Sequence, residues 1–186
     1  DENTLVLYCG MDESHITQSW VKTRPTEKDR LRETDAVRDY LGHEYLILQN
    51  KVNYYEVQNL INEFEQIINE YRPDVVIIPY PSYNQDHRIS YEAALTALRP
   101  HDLNHFVKKV MVYEQPHQLL WSIDNNFQPN YFVPIDIERK LSAYALMKSQ
   151  VRAFRSPDTL KSMSQLRGKQ SNNNNAEAYQ ILRWID

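Results

Sequence analysis

The sequence predicts an α/β domain whose sheet is mostly parallel and is covered by helices on both faces. Strand-like and helix-like segments alternate through the first half of the chain, and such alternation favours right-handed crossovers between parallel strands. The apolar, β-branched run at residues 75–78 is typical of a parallel strand buried on both faces. Residues 53–71 place apolar side chains at helical spacing, which forms one stripe that can pack on a sheet. From residue 135 onward the pattern is mainly helical, so we expect a helical C-terminal region.

The first predicted unit is a strand followed by a helix. Residues 4–9 are largely apolar, as in a buried strand, and Gly10 ends the run. After a polar loop, Thr26 can cap a helix that ends near residue 41, because its hydroxyl can accept from backbone N–H groups of the first turn. Gly42 then provides the stop signal.

Two further units continue the alternation. A short apolar strand at residues 45–48 leads into the helix at 53–71, which Pro73 ends. The strand at 75–78 follows directly, and a helical pattern then occupies residues 88–98.

The second half of the chain begins with strands and ends with helices. Residues 106–113 form a predicted strand, and its Lys108-Lys109 pair suggests an edge position, where charge discourages unwanted pairing. A further short strand is expected at 131–134. The predicted helices occupy residues 135–154, 157–166 and 176–184.

Length and composition exclude several classes of protein and of binding site. The 186 residues suit one domain, 1–186, and the net charge of −4 offers no basic footprint for nucleic acid. A single cysteine, Cys9, excludes an internal disulfide framework and a thiolate zinc site, which favours a reducing, cytoplasmic setting. No apolar run approaches the roughly 20 residues that span a bilayer. The three glycines cannot build a Gly-rich phosphate loop.

The first residues of the chain lead to a separate prediction. The sequence starts at Asp1 without a methionine and enters a strand-like run almost at once. We therefore expect the natural protein to carry an earlier segment, trimmed or processed from this chain.

Asp86-His87 is the strongest local candidate for chemistry. The pair lies in a polar loop after the strand at 75–78, and the carboxyl edge of such a sheet is where ligands bind. A histidine there can bind a metal through one ring nitrogen while a neighbouring group orients the other. A purely structural role, with Asp86 capping the next helix, is equally compatible with the dipeptide.

The remaining histidines and the cysteine are assigned structural or surface roles. His15 and Trp20 belong to a loop, where we expect a solvated histidine and an anchoring tryptophan. Cys9 is interpreted as a core residue because it ends an apolar strand. Polar surface roles are expected for His43, His101, His105 and His117.

Several separate stretches together resemble the LmbE-like, or PIG-L, family of N-acetyl-sugar deacetylases. The segment RPDVVIIPYPSYNQDHRISYEAALTALRP resembles the family's buried strand that leads into an (H/N)xDH motif. Other segments resemble the family's "R..E......LG" helix and its "K..Q" and "RG…AEAF" segments. They are Arg32-Glu33 with Leu41-Gly42, Lys148-Ser149-Gln150, and Leu166-Arg167-Gly168 with Ala176-Glu177-Ala178-Tyr179. The resemblance covers nearly the whole chain.

The resemblance implies a Rossmann-like fold with one divalent metal, usually Zn²⁺, that hydrolyses the N-acetyl group of an amino sugar. It makes His87 a metal ligand. It gives Asn84 a catalytic role as hydrogen-bond donor to the acyl oxygen, with Tyr83 as a second candidate. It places Asp86 in the catalytic site beside His87, where it orients this metal ligand or caps the helix that follows.

The family's other two metal ligands and its general base belong to an HPDDE motif that these 186 residues lack. The resemblance places that motif before Asp1. We therefore expect the chain as it stands to bind little zinc and to lack activity.

Three functions fit the sequence. The leading one is a zinc-dependent N-deacetylase acting on an N-acetylated amino sugar or glycoconjugate, with no nucleic-acid partner and no membrane segment. The second is a non-catalytic binding module or degenerate member on the same fold. The third is a nucleotide-sugar-binding domain. An exposed strand edge left by a missing unit would also favour a homo-oligomer.

Overall fold

A computed structural model describes residues 3–14, 16, 25–100, 102–121 and 127–186. The strands in this part of the chain are β1 (Leu5–Tyr8), β2 (Glu44–Ile47), β3 (Val75–Pro79), β4 (Lys109–Tyr113), β5 (Tyr131–Pro134) and β6 (Ala176–Trp184). The helices are α1 (Glu27–Leu41), α2 (Val57–Tyr71), α3 (Gln85–Ala97), α4 (Pro116–Trp121), α5 (Ile137–Leu146) and α6 (Pro157–Gln170), with a 3₁₀ turn at Lys148–Gln150. The predicted α/β, Rossmann-like class is confirmed.

The strands form two hydrogen-bonded sheets. In the first, β1 pairs with β2 in parallel, with Leu5 opposite Glu44. In the second, the order is β3-β4-β6-β5, in which β3 and β4 are parallel and β6 is antiparallel to both of its neighbours. The strands of the first half of the chain are thus parallel, as the sequence predicts, and the antiparallel pairs come from the last strand.

Both sheets contribute to one core even though no backbone pairing joins them within the described residues. Leu7 of β1 and Val76 of β3 pack against the same buried cluster. Helices α2 and α3 cover this cluster with residues from facing stripes, among them Leu60 and Ala93. The shared core brings the C-terminal ends of β1 and β3 to the same region of the molecule.

Local signals determine the bounds of the first helix. Thr26 caps α1, and its hydroxyl accepts from the backbone N–H of Asp29 at 3.1 Å, while the Asp29 carboxylate accepts from the backbone N–H of Thr26 at 3.0 Å. This reciprocal arrangement satisfies N–H groups that an uncapped helix leaves free. Gly42 ends the helix with a φ of 78°, a left-handed conformation that glycine adopts without strain. Both signals were expected from the sequence.

The segment at 176–184 corrects a sequence prediction. We expected a helix there, and the structure shows β6. Ala176 and Ala178 are buried while Glu177 between them is only partly covered, which is the alternation of a strand. Pairing with strands on both sides outweighs the local helix propensity of alanine and glutamate.

The position of β4 is a second correction. Its two lysines suggested an edge strand, but β4 lies between β3 and β6. Lys108 precedes the strand, and the Lys109 ammonium lies 4.7 Å from the centroid of the Trp184 ring on β6. A cation–π contact therefore accommodates the charge at the end of an interior strand.

Candidate active site

The polar loop after β3 leads directly into α3, and Asn84 is the residue that caps this helix. The Asn84 side-chain oxygen accepts from the backbone N–H of Asp86 at 2.9 Å. An asparagine in this position satisfies one of the free N–H groups of the first turn. The amide oxygen is thereby engaged, so the side-chain NH₂ is the group that Asn84 has left for a ligand.

Asp86 does not cap the helix but ties it to a distant loop. Its side chain is buried, with the residue only 4% exposed. One carboxylate oxygen accepts from the backbone N–H of Asn53 at 2.6 Å. Asn53 has a φ of 70°, a left-handed conformation that asparagine tolerates better than most residues. The Asp86 carboxylate thus holds the segment before α2 against the start of α3.

His87 lies on the first turn of α3 with one ring nitrogen already engaged. Its Nδ1 is 2.9 Å from the Ser82 hydroxyl oxygen, which also accepts from the backbone N–H of Asn84 at 3.3 Å. Arg88 fixes the same loop by donating to the carbonyl oxygens of Ser82 at 2.7 Å and Tyr83 at 2.6 Å. With Nδ1 held by Ser82, Nε2 is the nitrogen of His87 that can bind a metal.

The electrostatics of the site keep His87 neutral. Burial, together with nearby His117 and Arg155, lowers the pKa of His87 from 6.5 to about 4. Metal ligation requires a deprotonated imidazole nitrogen. His87 therefore meets the protonation requirement of a ligand at neutral pH without having to lose a proton first.

His117 is the site residue that sequence reasoning missed. It was assigned to the surface in a loop, whereas the structure places it on α4 with its ring centroid 5.6 Å from that of His87. The His117 Nε2 atom is buried and has no hydrogen-bond partner in the described part of the chain. Pro116, at the first position of α4, was the one local signal of a helix. The approach to His87 is tertiary and leaves no trace in the sequence.

The other sequence candidates do not join this site. Burial raises the pKa of the Cys9 thiol to about 11, and the side chain packs against the core, which confirms its structural assignment. His105 lies at the opposite end of β3, where its Nε2 is 3.1 Å from the carbonyl oxygen of Pro73. His15, Trp20 and His101 fall outside the described residues.

The described residues do not form a complete metal site. Neutral His87, oriented by Ser82, has the chemistry of a zinc ligand. Within the described ranges, however, no group of three His, Cys, Asp or Glu side chains is placed to hold a metal ion. A tightly bound zinc at His87 would require ligands from elsewhere.

One part-buried contact and one buried ion pair join the more distant motif segments. Glu33 on α1 accepts from the backbone N–H of Ser149 at 2.8 Å and from the Ser149 hydroxyl at 2.5 Å. Arg167 on α6 forms a bidentate ion pair with Glu114, which directly follows β4, and its Nε is 2.8 Å from one carboxylate oxygen. These contacts connect helices from the C-terminal half to α1 and to the central sheet, so they support the site without lining it.

The depressed pKa of His87 makes stability depend on pH. The His87 side chain binds a proton near pH 6.5 in the unfolded chain and only near pH 4 in the folded chain. The free energy of unfolding is therefore unaffected by His87 above pH 6.5 and decreases as pH falls through this window. We expect a loss of about 2–3 kcal/mol in the free energy of unfolding from His87. Burial lowers the pKa of His117 in the same direction.

Urea unfolding of the wild type and of His87→Gln between pH 7.5 and pH 4 tests this. Carboxylates contribute to the slope in both proteins, so the difference between the two curves reports on His87. The expectation is wrong if the two proteins lose stability in parallel.

The first half of the chain matches a known family of proteins. The model of the family described as PIG-L, GlcNAc-PI de-N-acetylase, matches residues 3–98. Among curated proteins, none matches the sequence. No helix within the described ranges is long and apolar enough to cross a bilayer.

Three solved structures illustrate the fold similarity. A conserved protein from Thermus thermophilus is 19% identical, with a TM-score of 0.78 over 99% of this chain and 83% of that one. The 4-carboxy-2-hydroxymuconate hydratase of Pseudomonas putida is 18% identical, with a TM-score of 0.71 over 99% and 85%. The N,N'-diacetylchitobiose deacetylase of Pyrococcus horikoshii is 18% identical, with a TM-score of 0.73 over 95% and 72%. At these identities the likeness establishes the fold and leaves the reaction open.

Proposed function

The chain belongs to the PIG-L family of GlcNAc-PI de-N-acetylases. We propose that the protein is a zinc-dependent hydrolase that removes an N-acetyl group from an amino sugar or glycoconjugate. The observation that carries the proposal is His87. It is neutral, oriented through Nδ1 by Ser82, and placed where β3 ends and α3 begins. This loop lies within the residues that match the family.

The family match supports the proposal more directly than the similarity to solved structures does. A deacetylase is among the structures with this fold, but so is a hydratase. The fold therefore does not decide between hydrolysis of an amide and addition of water to a substrate. The family match and the chemistry of His87 favour the amide.

In the proposed mechanism the chain's own residues bind and orient. His87 would hold the metal through Nε2, and Ser82 would keep the ring in the required tautomer by accepting from Nδ1–H. Asn84 can donate from its NH₂ group to the acyl oxygen of the substrate. Asp86 acts as a positioning residue, since its carboxylate holds the Asn53 loop against the start of α3.

Zinc, when bound, would supply a water of lowered pKa and polarise the amide carbonyl. One protein ligand does not hold zinc tightly, so the remaining ligands would come from residues outside the described part of the protein. A non-catalytic or degenerate module on the same fold is the alternative, and it would lack those ligands.

The test is a metal and activity measurement on the full-length protein that carries this sequence. We expect about one zinc per chain and release of acetate and free amine from an N-acetylglucosaminide. Chelation should abolish release and added zinc should restore it. A protein that binds no zinc and releases no acetate from a panel of N-acetylated sugars would be the non-catalytic module instead.

A further inference from the structure

Two half-exposed aromatic side chains lie beside the candidate site, and they come from different segments of the chain. Tyr83 directly precedes Asn84 in the loop after β3, and Trp121 is the last residue of α4. Tyr83 is 54% exposed and Trp121 is 51% exposed. The Tyr83 hydroxyl donates to the carbonyl oxygen of Trp121, which joins the two segments. Aromatic surface left open next to a candidate site favours contact with a ligand.

Phe154 supports Trp121 from a third segment, between the 3₁₀ turn and α6. The centroids of the two rings are 4.7 Å apart, with an angle of 50° between the ring planes. The guanidinium carbon of Arg155 lies 5.4 Å from the centroid of the Phe154 ring. Phe154 is therefore contacted by two neighbours, while Tyr83 and Trp121 keep exposed surface. We refer to Tyr83, Trp121 and Phe154 as the aromatic shelf.

Hydrogen bonds fix the position of the shelf before any ligand arrives. Gln118 on α4 is only 4% exposed and donates to the carbonyl oxygen of Pro81 at 3.2 Å. Arg88 donates to the carbonyl oxygen of Tyr83 at 2.6 Å. Rings that are held in place lose little conformational freedom when a ligand binds, so their contacts contribute more to affinity.

The shelf begins one helical turn from the two histidines. Trp121 follows His117 by four residues on α4, so both lie on the same side of the helix, about 6 Å apart along its axis. The ring centroids of His117 and His87 are 5.6 Å apart. In a 2-acetamido sugar, the carbon that carries the acetamido group is bonded directly to the anomeric carbon. A group attached at the anomeric carbon of a sugar whose amide is held at His87 can therefore reach the shelf.

The chemistry of the shelf favours an apolar group over a second sugar ring. The Tyr83 hydroxyl already donates its proton within the protein, and Phe154 has no polar side-chain atom. The indole N–H of Trp121 is the remaining side-chain donor of the three residues. The hydroxyl groups of a sugar placed here would lose contacts with water and gain few hydrogen bonds, whereas an aromatic group loses none.

We propose that the aromatic shelf binds an aromatic group attached at the anomeric carbon of the amino sugar, and that it selects aromatic glycosides over glycosides with a small aglycone. The identity of the sugar rests on the proposed function, and the identity of the attached group rests on the shelf. Tyr83 and Trp121 are binding residues in this proposal and take no part in the reaction itself.

The experiment compares three ligands of the 186-residue chain by saturation-transfer NMR titration. They are benzyl N-acetyl-β-glucosaminide, the corresponding methyl glycoside and N,N'-diacetylchitobiose. We expect the benzyl glycoside to bind about fivefold more tightly than the other two, with the largest saturation on its phenyl protons. Trp121→Ala should abolish this preference, and Trp121→Phe, which retains a ring, should keep most of it.

Trp184→Ala is the matched control. Trp184 is also half-exposed, at 43%, and also packs on an aromatic ring, that of Tyr131, with centroids 5.5 Å apart. It pairs with Lys109 at the start of β4, whereas His87 follows the end of the parallel strand β3. The two sites thus lie at opposite ends of the sheet, and this variant should bind the benzyl glycoside as the wild type does.

The proposal is overturned if the wild type binds the three ligands equally or binds none. It is also overturned if Trp121 strengthens the binding of the disaccharide most, or if Trp184→Ala loses the preference as Trp121→Ala does. If Trp121→Ala does not fold, Tyr83→Leu takes its place, and an unchanged preference in that variant contradicts the shelf.

The titration requires neither zinc nor turnover, so its result separates from the proposed function. An active full-length protein without the preference removes only the aromatic shelf. An inactive protein with a preference that depends on Trp121 removes only the deacetylase.

Discussion

A His87→Ala variant of the full-length protein should lose zinc and release acetate at least about a hundredfold more slowly than the wild type. Loss of a group that merely orients a ligand costs 10–100-fold, and His87 is the proposed ligand itself. The Nδ1 contact to Ser82, at 2.9 Å, leaves Nε2 for this role. Metal content by elemental analysis and acetate release by a coupled assay are the two measurements.

His105→Ala is the matched control for this variant. His105 lies at the other end of β3, hydrogen-bonded to the carbonyl oxygen of Pro73. It should keep zinc and activity. If His87→Ala retained zinc in proportion to the wild type, His87 would not be a ligand.

Glu114→Ala should lower the free energy of unfolding by about 3–5 kcal/mol, because it leaves Arg167 as an uncompensated buried charge. The side chains of the pair are only 7% and 10% exposed, and the contact is bidentate. We expect Tm to fall on the order of 10 °C. Urea and thermal unfolding measure the effect on the 186-residue chain.

The exposed pair between Lys161 and Glu138 is the control. Its atoms are 3.0 Å apart, but the Glu138 side chain is 72% exposed. Solvent screens such pairs, so Glu138→Ala should leave Tm almost unchanged. Equal effects of the two substitutions would show that burial of the Glu114 pair contributes nothing.

The elements with strong local signals could be predicted from the sequence. Helix α1 was expected because its cap at Thr26 and its stop at Gly42 act through neighbouring backbone atoms. The stripe of α2 and the apolar run of β3 report burial on one or both faces. In each case the physical cause lies within a few residues of the element itself.

The elements that were missed depend on distant partners. The alanine and glutamate residues of β6 favour a helix, and only the neighbouring strands in the sheet make this segment a strand. The lysines of β4 suggested an edge because a cation–π contact with Trp184 cannot be seen in sequence. Such choices are made by tertiary structure and override local preference.

The candidate site was anticipated in part. The motif identified the loop that contains Asn84 and His87, but not that Asn84 would use its oxygen to cap α3. The proximity of His117 to His87 arises from the docking of α4 against the loop before α3. A single sequence contains no local signal for tertiary contacts between such distant residues.

The place of β6 between β4 and β5 has a consequence for biosynthesis. The strand that joins the two neighbours is made after both of them. On the ribosome, β3 and β4 can pair early, but β5 has no partner within the second sheet until residues 176–184 emerge. Premature termination before residue 176 would therefore leave two strand edges uncovered at once, and nascent chains of that length would be prone to aggregate.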